Sequence, residues 1–149
     1  MKIKEIEYAI SRDLVNYPES VKIMEKRIEN ISSKKKSELI WFLEHPSIYT
    51  AGTSADKKDL LKKNILPVFK SSRGGEYTYH GPGQRIIYIM LDLRERNYDI
   101  RSFVNALETS VMDTLNDLGI KSLLIKAPFQ LGALKKFQTL LKVSYKKEI

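Results

Sequence analysis

The chain contains no cysteine. That excludes disulfides, thiolate metal sites and, most consequentially, any thiol nucleophile. It also lacks an apolar run near the roughly 20 residues that a membrane-spanning helix needs. Its start, MKIKEIEYAISRDL, alternates charged with apolar residues instead of building the core of a signal peptide. The chain therefore reads as a soluble cytoplasmic protein. Walker A loops, dinucleotide fingerprints and HExxH are absent too, so no nucleotide cofactor or metal is implied. Glycine is scarce, with seven in all, yet four of the seven fall within fourteen residues, SSRGGEYTYHGPGQ, from Ser71 to Gln84.

What is present sets the frame. At 149 residues with 42% hydrophobic content, the chain is long enough to bury a core and too apolar for disorder. The net charge of +8 suits an anionic partner, but the lysines are spread along the chain and read first as a solvated basic surface, with no nucleic-acid or membrane site implied. In YPESVKIMEKRIENI, Pro18 suits a first helical turn, and Val21, Met24, Ile28 and Ile31 recur at helical spacing. Glu38 to Leu43, ELIWFL, reads as a buried strand. SADKKDLLKKN predicts a short helix capped by Ser54, and LPVFK a further strand. RIIYIMLDL, from Arg85 to Leu93, reads as an interior strand. Asp99 caps the clearest helix, whose stripe is Val104, Leu107, Val111, Leu115 and Leu118, with Gly119 as its stop. KSLLI predicts another strand, and the lysine-rich tail with Leu131, Leu134, Leu140 and Leu141 a weak amphipathic helix. Mixed helices and strands with short connections argue for one sheet with helices packed on it.

Two clusters are candidates for a site. Gly74 and Gly75 form either a hairpin turn or a nest of backbone N–H groups that receives an oxygen. Gly81, Pro82 and Gly83 imply a second constrained segment. Between them EYTYH alternates as a strand does, with Tyr77 and Tyr79 on one face and Glu76, Thr78 and His80 on the other. His80 reads as a structural hydrogen-bonding residue or a proton donor or acceptor, and Arg73 as a surface ion-pair partner or an anion ligand. The second cluster is LEHPSIYTAGTSAD, where His45 and Pro46 set one turn and Thr50 and Gly52 another. It is a structural strand exit or a site.

Taken together, LEHPSIYTAG, then RGGEYTYHGPGQ followed by YIMLDLR, resemble the lipoyl(octanoyl) transferase family over roughly Tyr8 to Ile125. These enzymes move an octanoyl group from acyl carrier protein to a lysine of lipoyl domains. The resemblance implies an α+β fold, a mixed sheet flanked by helices like that of the biotin and lipoate ligases. It also implies that Arg73, Gly74, Gly75, Glu76, Tyr77, Thr78, Tyr79 and His80 form one wall of the acyl-substrate pocket. The implied partners, octanoyl-acyl carrier protein and lipoyl domains, are acidic, which a basic surface suits. A monomer without cofactor is expected.

The family's chemistry runs through a cysteine thiolate activated by a nearby lysine, and neither the Lys-Ile-Ala nor the Pro-Cys-Gly stretch that carries them occurs here. Motifs run intact through Lys121–Ile125 and stop from Lys126 onward. Residues 1–125 therefore read as the N-terminal portion of the catalytic domain. Residues 126–149 read as an unmatched tail, as a frameshift would produce, with the C-terminal part of the fold missing. No catalytic residue is assigned. The expectation is a chain inactive alone. The other readings are an acyl- or carrier-binding remnant, an ATP-dependent ligase relative, or a fragment that does not fold.

Overall fold

A computed structural model describes residues 5–61, 64–96, 99–120 and 141–144. The chain divides into two units, Met1–Leu91 with Gln130–Ile149, and Asp92–Phe129.

The first unit holds two sheets. One has strand order β1-β2-β6-β7, built from β1 (Ile6–Ile10), β2 (Glu38–Leu43), β6 (Gln84–Met90) and β7 (Leu141–Ser144). β1 runs parallel to β2, and β2 pairs antiparallel with β6, setting Trp41 opposite Tyr88 and Leu43 opposite Ile86. The other sheet has order β4-β3-β5, from β3 (Ile48–Ala51), β4 (Val68–Lys70) and β5 (Tyr77–His80). The single sheet expected from the sequence is thus two sheets. The β3 strand lies in what the sequence presents as a loop, because its partners β4 and β5 come from distant segments.

Helix α1 (Tyr17–Ser32) starts at Asn16, whose side chain accepts from the Glu19 N–H, with Pro18 in the first turn. Its buried residues are Tyr17, Ser20, Met24 and Ile31, whereas Ile28 is exposed, so the buried face is rotated from the one expected. Met24 and Ile31 pack on Leu39, Trp41, Leu43, Ile86, Tyr88 and Met90, alternate residues of β2 and β6. Leu43 and Ile86 are fully buried, each worth about 1.5–3 kcal/mol of transfer free energy. This core anchors the ends of β2 and β6, from which the two candidate clusters leave.

Several local expectations change. β6 ends at Met90 instead of Leu93, and Leu93–Arg96 is a 3-10 turn. The helix expected after Ser54 is only a three-residue 3-10 turn, Lys57–Asp59, capped by Asp56, whose carboxylate accepts from the Lys58 N–H. In the tail, Leu141 starts a strand, not a helix. The strand expected at Lys121–Ile125, Leu131, Leu134 and Leu140 lie outside the described residues.

The second unit carries helix α2 (Ile100–Asp117). Asp99 caps it as expected, accepting from both the N–H and the hydroxyl of Ser102. Gly119 ends it at φ +74°. Leu118, expected in the apolar stripe, is exposed. Among the described residues no helix is long and apolar enough to cross a membrane.

Candidate functional site

The site grows from two loops that touch. The exit of β3 lies against the turn that precedes β5. Gly52 donates its N–H to the Glu76 carbonyl (3.2 Å), Thr53 to that of Arg73 (2.9 Å) and Ser54 to that of Gly75 (3.1 Å). Contact is so close that a Cβ on Gly52 would fall far inside van der Waals contact distance of the Gly75 carbonyl oxygen and 2.9 Å from that of Gly74. Of the paired glycines only Gly75 takes positive φ, at +88°. In the second constrained segment Gly83 does so, at +82°, while Gly81 lies under the ring of Tyr79.

Arg73 fastens this arrangement. Its guanidinium turns inward and donates to the carbonyls of Gly74 (3.0 Å), Thr50 (3.2 Å) and Glu76 (3.1 Å) and to the hydroxyls of Thr50 (2.9 Å) and Thr78 (2.7 Å). Burial lowers its pKa, and the nearby Tyr17 opposes that shift. These bonds differ from both expectations for an arginine here, a surface ion pair or an anion ligand. They tie the double-glycine turn, β3 and β5 into one piece. Arg73→Ala leaves those oxygens without their donor and is expected to lower stability by about 2 kcal/mol, read from urea midpoints. A change under 0.5 kcal/mol, well inside the usual range for surface residues, would show that the guanidinium does not hold the turn.

The alternation expected for β5 is present. Its register sets His80 opposite Ile48, Tyr79 opposite Tyr49, Thr78 opposite Thr50 and Tyr77 opposite Ala51. Tyr79 is on the outer face, edge-on to Tyr49 and hydrogen-bonded to the Ser47 hydroxyl. Thr78 and His80 point inward, with Thr50, whose hydroxyl lies 3.3 Å from His80 Nε2. One threonine hydroxyl thereby joins the arginine latch to a buried histidine.

That histidine meets the other one. The rings of His80 and His45, the chain's two histidines, lie 5.9 Å apart, and both are buried. Tyr17 stands edge-on to His45 and stacked over His80, with the Phe69 ring tilted against it at 5.7 Å. His45 Nδ1 is 2.6 Å from the Val15 carbonyl, so it carries the proton and donates. Nε2 then accepts from the Tyr88 hydroxyl at 2.8 Å. Burial pulls the His45 pKa below its ordinary value, opposed by the Val15 bond. Burial likewise pushes the Tyr88 phenol up, with Ser20 acting the other way. His45 is thus a neutral ring with both nitrogens engaged, which favours positioning over proton transfer. Among the described residues no group of three His, Asp or Glu comes together to hold a metal.

The sequence places His45, Thr50, Gly52 and Arg73 to His80 in two separate clusters, and the structure joins them. It also adds Tyr17, Ser20 and Tyr88, which in sequence read only as a helix start and strand filling. The sole signal for them is polar or aromatic residues at positions where the periodicity calls for aliphatic ones.

Known proteins resemble this chain in sequence and in fold. The lipoyl protein ligase A/B catalytic domain matches residues 16–126. The chain is 57% identical over 116 residues to an octanoyltransferase of Bartonella bacilliformis, covering 78% of this chain and 48% of that protein. It is 48% identical, over the same share of this chain and 43% of the relative, to one of Agrobacterium fabrum. It therefore spans about half the length of the curated relatives it matches. In fold it is similar to the bipartite lipoate protein ligase of Thermoplasma acidophilum, solved with its E2 lipoyl domain (TM-score 0.55, 18% identity, 83% of this chain and 49% of that one). A lipoate-protein ligase A bound with ATP is similar too (TM-score 0.53, 17% identity, 84% and 53%). With a catalytic-domain match across most of its length and relatives at this identity, the chain belongs to the lipoyl protein ligase A/B catalytic-domain family.

Proposed function

We propose that the chain is the acyl-binding portion of an octanoyltransferase and that it does not transfer the acyl group by itself. Residues 1–125 belong to the catalytic domain and residues 126–149 lie outside its pattern. The segment Arg73 to His80 forms one wall of the substrate pocket. Its turn at Gly74–Gly75 offers backbone donors to a thioester carbonyl, and the aromatic face of Tyr77 and Tyr79 lies along the acyl chain. The donor is octanoyl-acyl carrier protein and the acceptor a lysine of a lipoyl domain. Both partners are acidic and are drawn to a chain of net charge +8. No cofactor enters, and the chain acts as a cytoplasmic monomer.

The observation that carries this reading is the pinning of the double-glycine turn by Arg73 beside the buried histidine pair, in a chain 57% identical over 116 residues to an octanoyltransferase. Acyl transfer through a covalent intermediate needs a nucleophile, and a chain without cysteine has no thiolate to form the acyl thioester. Both nitrogens of His45 are committed, so it does not substitute.

The test combines the chain, octanoyl-acyl carrier protein and a lipoyl domain, with mass spectrometry of the lipoyl domain. No octanoylation is expected, while the Bartonella bacilliformis enzyme modifies the same domain. Octanoyl-carrier protein should bind the chain saturably, and more weakly as salt rises. Enzyme-dependent octanoylation by this chain would refute the inactive reading, and no binding at low salt would refute the binding one.

A further inference from the structure

We propose that Glu44 is a positioning residue for the buried histidine pair and, through that pair, for acyl binding; the second part rests on the function proposed above. Three segments well separated in sequence meet at Glu44: the exit of β2, the approach to α1 and the turn between β5 and β6. Its carbonyl accepts from the Val15 N–H at 2.8 Å, and the next residue, His45, returns the contact by donating from Nδ1 to the Val15 carbonyl. This reciprocal pair of bonds fixes the chain two residues before Tyr17, whose ring packs on both histidines.

The side chain reaches the other way. Glu44 Oε2 accepts from the Gly83 N–H at 2.8 Å, and Oε1 lies 3.4 Å from Arg85 Nη2. Gly83 sits in the turn Gly81–Gln84, closed by the Gln84 N–H on the Gly81 carbonyl at 3.1 Å, and Pro82 followed by a glycine at φ +82° suits a type II turn. The turn's own bond does not engage the Gly83 N–H, and a carboxylate is a stronger acceptor for it than a neutral oxygen.

That turn begins directly after His80. The carboxylate therefore ties the end of the strand that carries His80 to the residue beside His45, and the 5.9 Å separation of the two rings depends on it. The Glu44 side chain is 27% exposed, so its replacement does not hollow out the core.

The experiment titrates octanoyl-acyl carrier protein into the full chain and its Glu44→Ala and Glu44→Gln variants, and records the imidazole NMR signals of the chain's two histidines. Charge alone predicts that loss of a carboxylate draws an acidic carrier more tightly. Positioning predicts the opposite: Glu44→Ala should weaken binding about tenfold, the equivalent of one charge-assisted hydrogen bond. Glu44→Gln loses the same charge but keeps an oxygen for the Gly83 N–H, and should recover most of the affinity. In Glu44→Ala the His80 signals should shift, and those of His45, held by Val15 and Tyr88, should shift less. A purely stabilising carboxylate would lower the urea midpoint and move neither the affinity nor the His80 signals. The proposal is overturned if Glu44→Ala binds as tightly as the parent or tighter, if the two variants bind alike, or if the His80 signals stay in place. Should the parent itself bind no carrier, the proposed function fails, and the imidazole signals alone decide whether Glu44 sets the pair.

Discussion

Gly52→Ala is expected to cost about 3 kcal/mol or more, near the top of the range for overpacking, and to lower the urea midpoint accordingly. The added methyl group meets backbone on all sides that matter: the Gly75 carbonyl oxygen, the Gly75 carbonyl carbon at 2.8 Å and the Gly74 oxygen at 2.9 Å. Backbone does not rotate aside. Relief comes only by separating the loops, which breaks the bonds from Gly52, Thr53 and Ser54 and stretches the Arg73 latch. Gly81 is the contrast. A Cβ there meets the side chain of Tyr79, which can swing outward at the cost of its Ser47 bond, so Gly81→Ala should be mild. Equal, small losses at both glycines would mean that the two loops do not touch in solution.

The difference between those glycines shows what the sequence can and cannot convey. Density alone singles out the segment from Ser71 to Gln84, and period-two alternation correctly sorts Thr78 and His80 from Tyr79. Helix signals are local, so α1 is readable from Pro18 and its apolar spacing and α2 from Asp99 and Gly119, and ELIWFL coincides with β2 residue for residue. Pairing is not local. β3 is four residues long, follows Pro46 and gains its strand character from partners 19 to 32 residues away, so it is hidden until β4 and β5 are in place. β1 is hidden for a related reason. It is an edge strand with Tyr8 and Ile10 exposed, and its mixture of charged and apolar residues reads equally well as a surface segment. Arg73 is readable as a cation but not as a latch, because its strongest acceptors, Thr50 and Thr78, lie on two different strands.

His45→Ala is the second substitution expected to act strongly, at about 3 kcal/mol near pH 8. It empties a fully buried site and leaves the Val15 carbonyl and the Tyr88 hydroxyl without the partners they hold at 2.6 and 2.8 Å. The same residue sets a pH dependence. Burial holds the folded-state pKa of His45 below its ordinary value, whereas the unfolded chain titrates near 6.5. The unfolded state therefore binds a proton first as pH falls. The contribution of the neutral ring is whole above about pH 6.5 and is lost progressively below it, down to the lower folded-state pKa. Thermal midpoints of the parent should thus decline between about pH 6.5 and 5, before most carboxylates titrate. The His45→Ala curve should begin lower and fall less steeply, and since His80 is common to both proteins the difference between the curves belongs to His45 and its partners. Parallel curves would show that His45 charges as readily folded as unfolded. The neutral donor-acceptor role between Val15 and Tyr88 would then be wrong.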